Sequence, residues 1–355
     1  MDKTVIAVVG CGRIARIAHF PAFGNMDNIR IKYACDLIPE KAEKMKEDFP
    51  FIENTITDYK VALSDPEVEI VYVLTPNFAH YTVTMDALRA GKHVFCEKPI
   101  TISYKLSAEM AEEANKRGLM LNIGVCNRYH SSVEKLEQMN REGKFGNIYH
   151  VYCSFRSFRS IPGLGGAFTD KSQSGGGVLI DWGIHFFDLV LYILGGVKLR
   201  NLTCDAYCEM AKDMKSYKYQ SMWAEDTKDV ENGVNDVDDF ITGHIRTDKA
   251  SISFNGAWAQ NIDKNEMFID FMGDKGGIRL QYGKTFKVYT TENGALVEYV
   301  PEIKSRDHFQ NEIDAFIDCV EKREKLPSHI DTVIITAQIM QAIYDSAEAH
   351  GEVKF

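Results

Sequence analysis

The chain is short of positive charge. Its 355 residues carry 41 Lys and Arg against 51 Asp and Glu, a formal net charge of −10. That balance does not suit a non-specific nucleic-acid binder, and it gives no membrane-surface patch. Neutral partners such as sugars stay open. No run approaches the ~18 apolar residues of a spanning helix. The start, Met1-Asp2-Lys3-Thr4, lacks the charged opening, long apolar stretch and small-residue cleavage site of a secretory signal. Cysteine is present but unpatterned. Its 8 residues form no C-x-x-C, and nothing beside Cys204 and Cys208 completes a zinc pattern. Reduced thiols in a cytoplasmic protein are the expectation. Internal repeats and low-complexity tracts are missing too. What remains is 45% hydrophobic and 26% charged, ordinary for a globular chain. Domains run to roughly 100–200 residues, so two are expected.

The first 125 residues alternate strand and helix. "TVIAVVG" (4–10) is a β-branched apolar run ending in glycine, the pattern of a buried parallel strand. "GCGRIA" (10–15) follows and fits G-x-G-x-x-A. Gly10 and Gly12 let the backbone approach a pyrophosphate, Arg13 and Ile14 at the helix start are expected as further cofactor contacts, and Ala15 allows close packing on the sheet. The second strand, 29–36, ends in Asp36, 24 residues after Gly12. An acid there accepts hydrogen bonds from a ribose 2′-OH and repels a 2′-phosphate, which favours NAD over NADP. The alternative for Asp36 is a helix-capping or surface acid. Helices are expected at 39–49, 79–91 and 103–118, and strands at 68–76, 92–97 and 119–125. This is the pattern of a doubly wound parallel sheet, whose ligands sit at the carboxyl ends of the strands. Thr75, Pro76, Asn77 and the phrase Glu97-Lys98-Pro99 lie at such ends. Asn127 and Arg128, just after the last strand, are placed to touch nicotinamide or substrate.

The second half reads differently. After a helix at 131–142, long alternating runs at 147–158, 200–209, 239–246, 250–259, 266–272 and 285–290 have no regular helices between them. A largely antiparallel sheet follows from that. Residues 210–237 read as a long polar excursion, and helices at 307–323 and 331–349 close the chain. The expected division is 1–125, a dinucleotide-binding domain, and 126–355, an α+β domain for substrate and assembly. Within the second lies "SGGGVLIDWGIHFFDL" (174–189). Asp181 and His185 are four apart on one helix face, and Asp188 adjoins it. An acid that orients an imidazole is a usable acid–base unit. The same three residues suit zinc or manganese by type, or His185 could be structural. The acid–base reading is preferred, and no metal is expected. Trp182 could stack on a sugar ring or simply pack. Arg156 and Arg159 could bind substrate hydroxyls or solvent.

The chain resembles the Gfo/Idh/MocA family, the glucose–fructose oxidoreductase and inositol dehydrogenase group. The resemblance rests on "GCGRIA…HFPAF" (10–23), "TPNFAH" (75–80), "CEKP" (96–99), "GGGVLIDWGIHFFDL" (175–189) and the terminal 309–347 segment, in order and over nearly the whole length. It implies a Rossmann domain followed by a domain with a large, mostly antiparallel sheet that commonly joins subunits into a homo-oligomer. It implies that Lys98 acts in catalysis beside the nicotinamide, with Asp181 and His185. Glu97 matches a residue near the nicotinamide ribose, and Thr75, Asn77 and His80 match cofactor contacts. The expected activity is an NAD-dependent oxidoreductase of sugars, glycosides or polyols, with C3 of a glucoside as one position. Lys98 would steady the alkoxide oxygen while His185 exchanges the proton, and Arg156, Asp181, Trp182 and His185 would line the substrate. Two rivals are an NAD-dependent glycosidase or lyase that oxidises transiently, and an NAD-binding sensor without turnover.

Overall fold

β1 (Thr4–Val9) is buried along its whole length, as an unbroken apolar run requires of a parallel strand covered on both faces. It belongs to a computed structural model that describes residues 3–222 and 224–355. Met1 and Asp2, part of the 1–125 assignment, and Trp223, part of the 210–237 excursion, lie outside the described residues. After β1 come β2 (Ile29–Cys35), β3 (Asn54–Ile56), β4 (Ile70–Val73), β5 (His93–Glu97) and β6 (Leu121–Gly124). Among the described residues these make one parallel sheet in the order β3-β2-β1-β4-β5-β6. The strand order reverses between β1 and β4, and that reversal opens the crevice where doubly wound sheets bind ligands. Local signals set the helices between. Pro39 opens Pro39–Asp48, and Gly118 at φ 65° ends Tyr104–Arg117.

Both faces of this sheet are covered. On one, Tyr72 lies flat on Phe95 at 4.8 Å, and Phe316 meets Tyr72 edge-on at 5.8 Å. Phe316 comes from the late helix His308–Lys322 and is fully buried, a burial that contributes about 2–3 kcal/mol. On the other, Ile330 and Val333 join Val71, Val94 and Leu121. The compact units are therefore 1–129 with 306–337, and 130–305 with 338–355. The segment 306–337, expected in the second domain, belongs to the first.

The second unit holds β7 (Ile148–Arg156), β8 (Leu199–Tyr207), β9 (Phe240–Thr247), β10 (Ser251–Ala257), β11 (Glu266–Gly273), β12 (Gly276–Gln281), β13 (Phe286–Glu292), β14 (Ala295–Tyr299) and β15 (Val353–Lys354). Among the described residues they form one sheet, β14-β13-β12-β11-β7-β10-β9-β8-β15. It is antiparallel except where β10 runs parallel to β7. β3, β12, β14 and β15 were not expected. The helix Ile184–Leu194 covers the inner face, with Phe186 stacked on Phe155 at 4.6 Å and Phe187 edge-on to Phe254 at 5.0 Å. Together with the turns before it, Lys171–Leu194 is long and apolar enough to cross a membrane, with mean hydropathy 1.6 over its best window. This corrects the expectation that no run comes near that test. In the fold, 78% of that window is buried inside the protein, so its composition serves the core.

Candidate active site

At the β1–β4 reversal a cavity of about 540 Å³ opens beside Gly10, Gly12, Asp36, Thr75 and Pro76. Gly10 has φ 107°, and a Cβ on it would collide with the Leu74 carbonyl. Only glycine lets the chain leave β1 so close to the end of β4. Gly12 is the opposite case: a Cβ there would meet nothing within 4 Å. Its missing side chain leaves room for something that is not protein. Asp36 accepts from the Cys11 and Ile38 N–H groups, each at 3.0 Å. A carboxylate has about four acceptor positions, so two remain for ribose hydroxyls. The Thr75 hydroxyl is buried and has no protein partner in this structure, which suits a ligand contact. Arg13 is exposed, while Ile14 is half-buried against the core. Leu37 and Phe78, 86% and 55% exposed, are apolar walls of the cavity that the motif alone did not reveal. Glycine room, an acid at the second strand end and apolar walls fit a dinucleotide.

The phrase at the end of β5 is held from both sides. Glu97 is buried, and Gly124 on β6 makes room for it: a Cβ on Gly124 would come within 3.0 Å of the carboxylate. One Glu97 oxygen pairs with His19 Nε2 at 2.9 Å, and the other accepts from the Lys98 N–H at 3.0 Å. Burial alone pushes the Glu97 pKa up, but the bond and charge of His19, with Lys98, outweigh it and hold the carboxyl below its ordinary value. His19 is fully buried on the helix that follows the glycine motif. Nothing in the sequence pattern separates it from a core residue. Lys98 itself is half-buried, and the peptide to Pro99 is cis.

His80 departs from expectation. It is 1% exposed, with Nδ1 2.7 Å from the Pro99 carbonyl oxygen and Nε2 2.9 Å from that of Thr75. Both ring nitrogens are committed to backbone, so the ring braces the chain just after β4 and β5 and has no nitrogen left to bind a cofactor. Asn77 is half-buried in a short turn, Asn77–Ala79. Asn127 is buried in the turn Cys126–Tyr129. Its neighbour Arg128 donates to the Pro327 carbonyl oxygen at 2.6 Å and the Thr332 hydroxyl at 3.3 Å, which places its guanidinium in the packing of 326–332.

In the second unit, Asp181, Trp182 and His185 are, with Tyr192, the half-buried positions of an otherwise buried stretch 179–194, and Asp188 is 1% exposed. The turn Leu179–Gly183 is π-wound, a local widening often found at functional sites. The entry to this helix is set by Asp238. Its carboxylate accepts from the N–H groups of Gly177 at 2.8 Å and Leu179 at 2.9 Å, and from the Tyr344 hydroxyl at 2.7 Å. A Cβ on Gly177 would strike the Asp238 carbonyl. Among the described residues, no group of three His, Cys, Asp or Glu could hold a metal ion.

Arg156 does not join Asp181 and His185. Side chains alternate along a strand. Phe155 packs against the helix that carries those residues, so Arg156 points to the opposite face of the sheet. There it donates to Glu266 through Nε at 3.0 Å and a terminal nitrogen at 2.6 Å. Arg159 donates to Asn261 at 2.6 Å and lies over the Tyr217 ring at 5.6 Å.

Residues 4–125 match the protein-family model described as "Oxidoreductase family, NAD-binding Rossmann fold", and residues 138–355 match "Oxidoreductase family, C-terminal alpha/beta domain". The chain is 27% identical to the D-glucoside 3-dehydrogenase of Escherichia coli (strain K12) over 351 residues, 98% of this chain and 97% of that protein. It is 31% identical to the inositol 2-dehydrogenase/D-chiro-inositol 3-dehydrogenase of Lactiplantibacillus plantarum over 141 residues, 39% and 40% of the two chains. Levoglucosan dehydrogenase, solved with NADH and levoglucosan, matches with a TM-score of 0.85 at 19% identity over 99% of each chain, a likeness of fold.

Proposed function

Because the chain belongs to the Gfo/Idh/MocA oxidoreductase family, we propose that it transfers hydride between NAD and a carbinol carbon of a sugar, glycoside or related polyol, with C3 of a glucoside as the reacting carbon. The observation that carries this reading is the likeness to a D-glucoside 3-dehydrogenase over 98% of this chain. A neutral substrate also agrees with a chain of net charge −10.

NAD, when bound, supplies the hydride acceptor. Gly10 and Gly12 admit it, Asp36 takes its ribose hydroxyls, and Thr75 offers a hydroxyl. Lys98 presents its ammonium to the substrate oxygen and steadies the negative charge that develops there. His185 takes or returns the hydroxyl proton, and Asp181 orients the imidazole and stabilises its charged form. Glu97, fixed by His19, holds the backbone from which Lys98 projects. Self-association through the outer face of the nine-stranded sheet belongs to the same reading. Tyr149 and Tyr289 are 59% and 42% exposed on the second unit, and sedimentation that finds only monomer would remove that part.

The test uses the purified protein. It is denatured to identify any released nucleotide, then titrated in its native state with a panel of glucosides and polyols while NADH absorbance is followed. Bound nucleotide reduced once, in place, means a retained cofactor and a redox-neutral cycle. Reduction of added NAD over many turnovers means an ordinary dehydrogenase. Aglycone release without net NADH moves the activity to bond cleavage by transient oxidation. No oxidation at C3 of any glucoside removes that position, and no nucleotide binding removes the whole reading.

A further inference from the structure

We infer that His80 is a fixed buried cation that positions Lys98, clamping the chain just after β4 to the chain just after β5. Nδ1 lies 2.7 Å from the Pro99 oxygen and Nε2 lies 2.9 Å from the Thr75 oxygen. Carbonyl oxygens only accept, and a neutral imidazole donates from one nitrogen alone. In a neutral ring, one nitrogen lone pair would face an oxygen lone pair in a site that is 1% exposed. Both nitrogens therefore carry hydrogen, and the ring is positive. Cys96 on β5 and the two carbonyls are the groups that face it. Burial alone lowers the pKa of such a ring, but Cys96 and the two carbonyls outweigh that and raise it to about 9.

The position gives this charge a use. Thr75 and Pro99 close two neighbouring strands at the end where doubly wound sheets bind their ligands. Lys98 stands between Glu97, held by His19, and Pro99, held by His80. Both chain neighbours of Lys98 are thus anchored by buried imidazoles from different helices. Glutamine at position 80 would keep a donor for one carbonyl and turn its own oxygen to the other. The clamp follows from the geometry alone, and its importance to the reaction rests on the proposed role of Lys98.

Three measurements on the full chain test it. Side-chain nitrogen NMR of the unaltered, histidine-labelled protein should show His80 with both nitrogens protonated at neutral pH, unchanged until the pH approaches about 9. A neutral, singly protonated ring at neutral pH overturns the inference. In His80→Gln, amide exchange at Asn77, Phe78, Lys98 and Ile100 should rise about tenfold or more while β1 stays protected. Unchanged exchange at those four overturns the clamp. His80→Gln should also lose about tenfold to a hundredfold in kcat and lose nothing further in a Lys98→Ala background. An equal loss in both backgrounds overturns positioning through Lys98. Full activity of Lys98→Ala, with the NMR and exchange results intact, counts against the proposed function and leaves the clamp standing.

Discussion

The segment 10–15 in the first unit and the segment 175–183 in the second both lead a glycine run into a helix. In both, the helix passes through a π-wound turn, Ala15–His19 and Leu179–Gly183. Their glycines answer to different neighbours. A side chain on Gly12 would enter open space at the edge of a cavity. A side chain on Gly177 would enter the backbone of Asp238, and one on Gly176 would enter the Tyr344 hydroxyl. In the first run Gly10 is closed by the Leu74 carbonyl and Gly12 opens onto free space, whereas in the second both Gly176 and Gly177 are closed by the chain's own polar groups. The same compositional signal thus borders an open cavity in one unit and marks a tight internal joint in the other.

The largest expected effect tests the joint. Gly177→Ala forces a methyl group against backbone that cannot rotate away, and it displaces the N–H that Asp238 accepts. We expect a loss of about 4 kcal/mol or more, seen as a melting temperature lower by roughly 10 °C or as no folded product. A stable Gly177→Ala protein would break the comparison.

Asp238→Asn sharpens it. The amide keeps the shape but turns a donor toward N–H groups that need an acceptor, at a cost of about 2–3 kcal/mol. A pH dependence goes with this. Burial pushes the Asp238 pKa up more than the bonds from Tyr344, Leu179 and Gly177 pull it down, so the folded carboxyl sits above its ordinary 3.8. The folded state therefore binds this proton more tightly than the unfolded chain does. The group's contribution is full below that ordinary value and declines as pH rises through the raised one. Urea titrations at several pH values should show the wild-type advantage over Asp238→Asn narrowing from about pH 4 upward and then levelling. An advantage that widens with pH would reverse the sign assigned to Asp238.

Gly12→Ala tests the other glycine run. Its methyl group meets nothing, so stability should change by less than about 1 kcal/mol. The affinity for NAD should fall about tenfold or more, roughly 1.4 kcal/mol. Calorimetry of unfolding and of nucleotide binding reads the two separately. A stability loss without a binding loss would make Gly12 another packing glycine.

Much of this architecture is legible in the chain itself. β1, β2, β4, β5 and β6 follow from apolar runs ended by glycine, acid or proline, and the six long runs of the second half become strands where alternation marks them. The destination of the late helices is not legible. Periodicity shows that His308–Lys322 has an apolar face, but not that Phe316 packs on Tyr72 across some 240 residues of chain. β3 and β15 are too short to carry a pattern. The site divides in the same way. Gly10, Gly12 and Asp36, which border the cavity, and Lys98, proposed at the end of β5, are candidates that motif and position single out. His19 and Asp238 do not, because each is defined by a partner distant in sequence, and His80, which the resemblance offers as a cofactor contact, has its bracing role set by two backbone carbonyls that carry no residue-specific signal.

Arg156 is the smallest expected effect and tests the second unit directly. From its strand position it could be a substrate contact. Alternation from Phe155 instead sends it to the far face of the sheet, where it meets Glu266. Burial would raise the Glu266 pKa, but the bonds from Arg156 and Ser154 hold it below the ordinary value. A partly exposed pair of this kind contributes about 0.2–1 kcal/mol. Arg156→Ala should therefore lower stability by no more than about 1 kcal/mol and leave kcat/KM for the sugar within a few-fold of wild type. A tenfold rise in KM with unchanged melting would mean that substrate reaches the outer face of the sheet, and the site would then have to include a surface that the helix carrying Asp181 and His185 does not touch. An unchanged KM would confine the second unit's part in catalysis to the inner face, with the outer face free for contact with another copy.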